Sequence, residues 1–250
     1  MYFFLIYLNT NELPYLMAKI TREKFKTYGN VFDEFTLRNL FKLNSQGYFE
    51  DFLTPVALGK ESNVFSAIRK DGKKVIVKIY RLENCDFNKM YDYIKADNRY
   101  TNISRSRRNI IFAWTQREFR NLHKARELGV NVPVPLHFYH NILIEEFIGN
   151  ENPAPKLKDY FPEDIDNFFK LLMNEMKKLH KGGLVHGDLS SFNILNHKEK
   201  PCLIDFSQST EKKSPNYDEL LKRDIKNIAA FFNKHKYKVT EEEIFDLINK

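Results

Sequence analysis

The chain predicts an α+β fold in two lobes, a small antiparallel sheet followed by a mostly helical half. Residues 63–69, an Asp71-Gly72 turn and the β-branched run Lys74-Val-Ile-Val-Lys-Ile-Tyr80 read as a hairpin. Ile165, Phe168, Phe169, Leu172, Met173, Met176 and Leu179 instead recur at three- and four-residue steps, the stripe of a core helix. Between them, Gly149-Asn-Glu-Asn-Pro-Ala-Pro155 reads as a crossing segment and sets the lobe boundary near residue 149. The expected units are an N-terminal extension over 1–31, a helical preface and sheet lobe over 32–148, and a helical lobe over 149–250.

With 250 residues, 42% of them hydrophobic, the chain can bury one large core or two lobes sharing a cleft. Its formal net charge of +7 favours phosphate-bearing partners without choosing between nucleotide and RNA. Cys85 and Cys202 suggest no framework of paired cysteines, which fits a reducing, cytoplasmic compartment. The apolar opening Met1-Tyr-Phe-Phe-Leu-Ile-Tyr-Leu8 has no basic leader and is too short to span a bilayer, so no membrane partner is expected. Because Met17-Ala-Lys-Ile-Thr reads as an ordinary start, residues 1–16 are expected to be an upstream extension rather than native chain.

Along the chain, residues 32–43 have mostly helical spacing, and Gly47 stops them. The strands of residues 54–80 follow. Residues 83–112 mix polarity around Arg99, Arg105, Arg107 and Arg108 and are expected to be a flexible insertion with at most a short helix at 87–94. That insertion reads either as a solvated loop, as an RNA contact, or as a lid self-phosphorylated at Ser104 or Ser106. Trp114 to Leu128 reads as a helix ended by Gly129, Pro133 and Pro135, and residues 137–147 as two further strands. Another apolar helix is expected over 217–233, and Thr240 with Glu243 forms a capping box for the last.

The chemistry lies between Leu184-Val-His-Gly-Asp188 and Leu203-Ile-Asp205-Phe, with Asn193 inside the loop they bracket. Moving a γ-phosphoryl group leaves the protein little covalent work; it must hold Mg²⁺, orient an acceptor and neutralise charge. One carboxylate faces the acceptor, an amide oxygen binds metal without adding repulsion, and a second carboxylate on a neighbouring strand completes the site. Asp188, Asn193 and Asp205 fit those roles. A polar turn whose Asp and Asn merely satisfy backbone N–H groups is the plainer alternative. Apolar flanks that make a strand, loop, strand, strand pattern weigh against it. Lys78, within a run that should be buried, needs an anion, which ATP phosphates and Glu118 would supply; an edge-strand lysine facing solvent is its alternative. For Glu118 the alternative is a capping box with Thr115.

Over roughly residues 32–235 the chain resembles the RIO kinases, an atypical branch of the protein-kinase-like fold. The likeness rests on Gly59-Lys-Glu-Ser-Asn-Val64, Val77-Lys-Ile-Tyr80, Trp114-Thr-Gln-Arg-Glu118, Glu146-Phe-Ile-Gly149 with Pro153-Ala-Pro155, the Asp188 loop, Asp205-Phe-Ser-Gln-Ser and Arg223-Asp224-Ile-Lys-Asn-Ile. The helical preface, Pro-Ala-Pro and Asp-Leu-Ser resemble the first, archaeal-like subfamily. The resemblance implies a two-lobed kinase fold with no long activation segment, using ATP and Mg²⁺, with Mn²⁺ as an alternative. It implies a serine/threonine kinase or ATPase acting in small ribosomal subunit maturation, with the pre-small-subunit particle and its RNA as partners and the protein substrate unidentified.

Carried over by residue, Lys60 and Ser62 would contact phosphates, Lys78 would bind the α and β phosphates and pair with Glu118, and the backbone of Glu146 and Ile148 would hold adenine. Asp188 would be the catalytic base. Asn193 and Asp205 would ligate the metal, and Asp205 can itself accept phosphate. Glu145 departs from the family, where the back of the adenine pocket is apolar; a carboxylate there would alter nucleotide preference or need its own partner. Two other functions compete: a small-molecule phosphotransferase of the same fold, disfavoured by the Gly-Lys-Glu loop and the short second lobe, and a catalytically idle RNA-binding module, disfavoured by the full set Lys78, Asp188, Asn193 and Asp205.

Overall fold

Asp33 opens α1 (Glu34–Ser45) by accepting the Thr36 N–H at 2.9 Å, which satisfies one of the helix's orphan donors. The computed structural model describes residues 32–83, 85–100 and 103–250; the N-terminal extension, with the expected start at Met17, lies outside the described residues. Leu40 and Leu43 of α1 bury against a five-stranded antiparallel sheet of order β1-β2-β3-β5-β4. Its strands are β1 (Asp51–Leu58), β2 (Ser62–Ile68), β3 (Lys74–Tyr80), β4 (Pro135–Tyr139) and β5 (Ile142–Glu146). Period-two alternation divides β3: Val75, Val77 and Ile79 join the α1 core, while Ile76, Lys78 and Tyr80 point to the other face.

That other face meets α2 (Phe87–Lys95) and α3 (Arg107–Glu127). The expectation of a helix starting only at Trp114 is corrected here, since α3 begins seven residues earlier at Arg107 with Ser106 as its cap. Ile110, Ile111 and Trp114 form a core with Tyr80, Met90 and Ile94, and this burial extends the helix through a basic turn that reads as solvated in sequence. Thr115 therefore sits mid-helix, its hydroxyl donating to Ile111 O at 3.0 Å, and the capping-box alternative for Glu118 falls.

Beyond a linking stretch, α4 (Ile165–Lys181), α5 (Tyr217–Lys234) and α6 (Glu241–Asn249) bury Phe168, Leu172, Ile228, Phe232 and Ile244 in the largest core. The capping box of Thr240 and Glu243 forms as expected. Small strands lie on this half: β6 (Leu184–Val185) pairs with β9 (Thr210–Glu211), and β7 (Ile194–Asn196) with β8 (Pro201–Leu203). Only residues 206–216 separate Asp205 from α5, so the chain carries no long segment there.

Candidate active site

A cleft of about 630 Å³ opens between the sheet and the helical half. Ser62, Val64, Ile76 and Lys78 line it from the sheet, Glu145, Glu146 and Ile148 from the crossing strand and the residues after it, and Asn193, Leu195, Ile204 and Asp205 from below.

Lys78 is 5% exposed, and its Nζ lies 2.7 Å from Glu118 Oε1 and 3.0 Å from Asp205 Oδ1. Burial alone would lower its pKa, but the Asp205 and Glu118 carboxylates outweigh it and raise the ammonium well above its ordinary range. An unpaired charge at this depth would cost several kcal/mol, so the lysine's alternative as a solvent-facing edge residue does not hold. Tyr80, on the same face of β3, donates its Oη to Glu118 Oε2 at 2.5 Å. Glu118 lies behind Lys78 rather than on the cleft wall.

Asp205 stands in the left-handed region, φ 63 and ψ 69, and its side chain is 38% exposed toward the cleft. Burial works to raise its pKa; the Lys78 ammonium and the Ser207 hydroxyl, which donates to Oδ1 at 2.8 Å, overcome this and hold it near about 2. Both partners use Oδ1, and Oδ2 has no partner among the described residues. Asn193 donates its Nδ2 to Asp188 O at 2.9 Å and to Asp188 Oδ2 at 3.2 Å, so its Oδ1 remains for a cation. Among the described residues no group of three or more His, Cys, Asp or Glu gathers as a metal site. A cation held by Asn193 and Asp205 alone would draw its other ligands from phosphate and water, the habit of Mg²⁺, so the donor set fits that ion.

Burial, and then the charge of Asp205, raise the pKa of Asp188, which suits a group that must take up a proton. Its loop is held from beneath by residues the sequence reading gave no role. Asp224 of α5, 2% exposed, accepts the Gly187 and Leu189 N–H groups at 2.8 Å each. Gly187 itself takes φ 79, and a Cβ there would meet Gln208 O at 2.7 Å, so the close passage of the two loops requires glycine. His186 Nε2 lies 3.0 Å from Ile204 O while Nδ1 accepts the Asp188 N–H at 3.3 Å, which places the ring proton on Nε2. Burial pushes this imidazole down to about 4, so the ring is neutral.

Arg117 and Asn121 of α3 fasten the helix to the loop after Asp205. Arg117, 1% exposed, donates to Ser207 O and, at 3.0 Å, to Thr210 Oγ1, and its Nε pairs with Asp97 at 3.0 Å. Asn121 Nδ2 donates to Phe206 O and Ser209 O at 2.9 Å each. The signal for them was available as two polar residues four apart on an otherwise buried face of the helix, flanking Glu118.

The remaining expected residues divide. Ser62 lines the cleft, whereas Lys60 is exposed on the β1–β2 turn and does not. Glu146 commits its N–H to Val134 O at 2.8 Å, so a base cannot use that group. Ile148 accepts the Ala154 N–H at 2.9 Å, and its own N–H has no backbone acceptor among the described residues.

Comparison with known proteins gives the family and the fold. The RIO domain family matches residues 63–244. A RIO-type serine/threonine-protein kinase Rio1 of Methanocaldococcus jannaschii is 41% identical over 228 residues, 90% of this chain and 78% of the relative. A protein of the same name from Haloferax volcanii is 35% identical over 227 residues, again 90% and 78% of the two chains. Among solved structures, a Chaetomium thermophilum Rio2 kinase, described as an ADP/Mg²⁺-phosphoaspartate complex, superposes with a TM-score of 0.65 at 20% identity. That match covers 89% of this chain and 66% of the solved one, and it establishes the kinase-like fold.

Proposed function

This chain belongs to the RIO family of serine/threonine protein kinases, and from that premise we propose that it binds Mg-ATP in the cleft between sheet and helices and transfers the γ-phosphoryl group to a serine or threonine hydroxyl. One observation carries the reading: Lys78 Nζ bridges Glu118 and Asp205 at 2.7 and 3.0 Å on the wall of the cleft that Asn193 also lines.

Each residue acts on what it can reach. Lys78, held ionised by two carboxylates, draws the nucleotide's phosphates to the inner end of the cleft. Asn193 and Asp205 would hold the metal, which would neutralise phosphate charge when bound. Asp188 accepts the proton of the acceptor hydroxyl as its oxygen bonds to Pγ. The bond from Pγ to the β,γ-bridging oxygen breaks, and ADP leaves with that oxygen. The Ile148 N–H and the Glu146 carbonyl face the base, and Ser62 takes phosphate at the sheet edge. Lys60 reaches phosphate only if the β1–β2 turn folds inward.

A second outcome of the same site is favoured by the open Oδ2 of Asp205. With the carboxylate held ionised, an Asp205 oxygen would attack Pγ in place of the acceptor hydroxyl, the bond from Pγ to the β,γ-bridging oxygen would break with ADP leaving, and water would then cleave the acyl phosphate, so that the protein turns over ATP as a switch. We place both activities in the cytoplasm, on the maturing small ribosomal subunit, with its RNA drawn by the net charge of +7.

Magnesium-dependent ATP turnover tests the reading. Asp188→Ala and Asp205→Ala should each lower it at least about 100-fold, and unchanged turnover in both would refute the enzymatic assignment. Hydroxylamine-labile label from γ-labelled ATP would indicate the acyl phosphate, and stable label on an added protein the serine or threonine product.

A further inference from the structure

Glu145 is the only residue on the cleft wall whose buried side-chain oxygen lacks a partner among the described residues. It is 8% exposed, and Oε2 accepts no hydrogen bond. Register explains why it faces inward: Glu145 pairs with Ile76 across β3 and β5, and directly opposed residues share a face. Ile76 and Lys78 stand on that same face and line the cleft beside it.

A buried polar atom without a partner costs about 1–3 kcal/mol, so a cleft-lining carboxyl that carries one has a contact still to make, within reach once the carboxyl turns toward the cleft. Among the described residues, the neighbouring donors are taken. Lys78 is already engaged by Glu118 and Asp205, and Tyr80 by Glu118. The missing donor must therefore come from what enters the cleft. With phosphates at Lys78 and the base against the segment that follows Glu145, the group arriving at the inner edge of a purine is its substituent at C6.

We propose that Glu145 is a specificity-determining residue that accepts a hydrogen bond from the 6-amino group of adenine. This rests on the nucleotide reading of the cleft given above. Burial, and then the nearby Glu118 charge, push the carboxyl of Glu145 up to about 8, so at neutral pH and before a nucleotide arrives it is held neutral. A neutral carboxyl still presents an accepting oxygen, and the amine satisfies it in either protonation state. Deleting the amine strands the carboxyl in the bound complex, and deleting the carboxyl makes the amine irrelevant to this wall.

The experiment compares binding of Mg-ATP and of magnesium purine riboside triphosphate, which carries hydrogen at C6, to the full chain by calorimetric titration. The parent should lose about tenfold in affinity when the amine is removed, and Glu145→Met about threefold or less. Glu145→Gln, the same shape with an accepting oxygen, should keep most of the parent's tenfold preference and guards against a methionine variant that folds poorly. Equal losses in the parent and Glu145→Met would overturn the contact while leaving the nucleotide site intact. No binding of Mg-ATP to the parent would overturn the nucleotide reading and the contact together.

Discussion

Tyr80 and Glu118, 38 positions apart in sequence, share a hydrogen bond of 2.5 Å between Oη and Oε2. Glu118 Oε1 takes the Lys78 ammonium at 2.7 Å, so each oxygen of the carboxylate has one donor and neither the rotation nor the position of the group is free. A lysine that must meet phosphates is thereby placed by a residue that never touches them. Tyr80→Phe removes the donor and leaves a buried carboxylate oxygen unpaired. The variant should lose about 1–3 kcal/mol of stability and raise KM for ATP more than it lowers kcat. Thermal unfolding and steady-state turnover measure the two effects, and an unchanged melting temperature would contradict them.

Arg117→Met should be the more damaging change. It strips donors from Ser207 O and Thr210 Oγ1 and leaves the Asp97 carboxylate to Arg99 alone. A loss of about 2–4 kcal/mol is expected, with ATP turnover falling at temperatures where the variant is still folded. Denaturant titration read alongside activity gives the result, and a variant as stable as the parent would show that α3 is held by packing alone.

Glu145 makes stability depend on pH in a defined direction. Its carboxyl rises from 4.5 to about 8 on folding, so over that interval the unfolded chain has released a proton that the folded chain keeps. Stability from this group is complete below pH 4.5 and is lost as pH climbs through 8. Glu145→Gln cannot ionise; relative to the parent it should gain a few kcal/mol between pH 5 and pH 9. Chemical denaturation at the two values is the measurement, and parallel curves would remove the assignment.

His186 carries the opposite sign. Its folded pKa of about 4 lies below the ordinary 6.5, so its contribution is present above 6.5 and lost as pH falls through 4. Nitrogen chemical shifts of the ring should show a neutral Nε2–H tautomer down to pH 5. A cationic ring at that pH would mean that Nδ1 does not accept the Asp188 N–H as the geometry describes.

The chemistry was legible where it is local. Asp188, Asn193 and Asp205 fall within a short stretch, and Lys78 announces itself as a charge in a run too apolar to leave it solvated. The main strands and helices followed from period and turn residues alone. What escaped depends on contacts between distant segments. The partners of Arg117 and Asn121 in the loop after Asp205 lie 85 to 93 positions away, so the sequence marks two polar residues on a buried helix face without saying what they hold. The start of α3 is hidden from the sequence for the same reason, because Ile110 and Ile111 are core only once α2 packs on them. Glu118 reads two ways in sequence, and the position of Thr115 inside the helix decides between them. Lys60 shows the reverse limit: a motif names a residue, but the turn that carries it places the side chain outside the cleft.

The four donations from Arg117 and Asn121 into residues 206–210 have a pharmacological corollary. A compound that works by wedging α3 outward would first have to tear those bonds and expose the carbonyls they serve, an uphill step for a small ligand. Selective inhibitors of this protein should therefore be sought among molecules that fill the space in front of Glu145, where an amine on the compound finds a waiting acceptor.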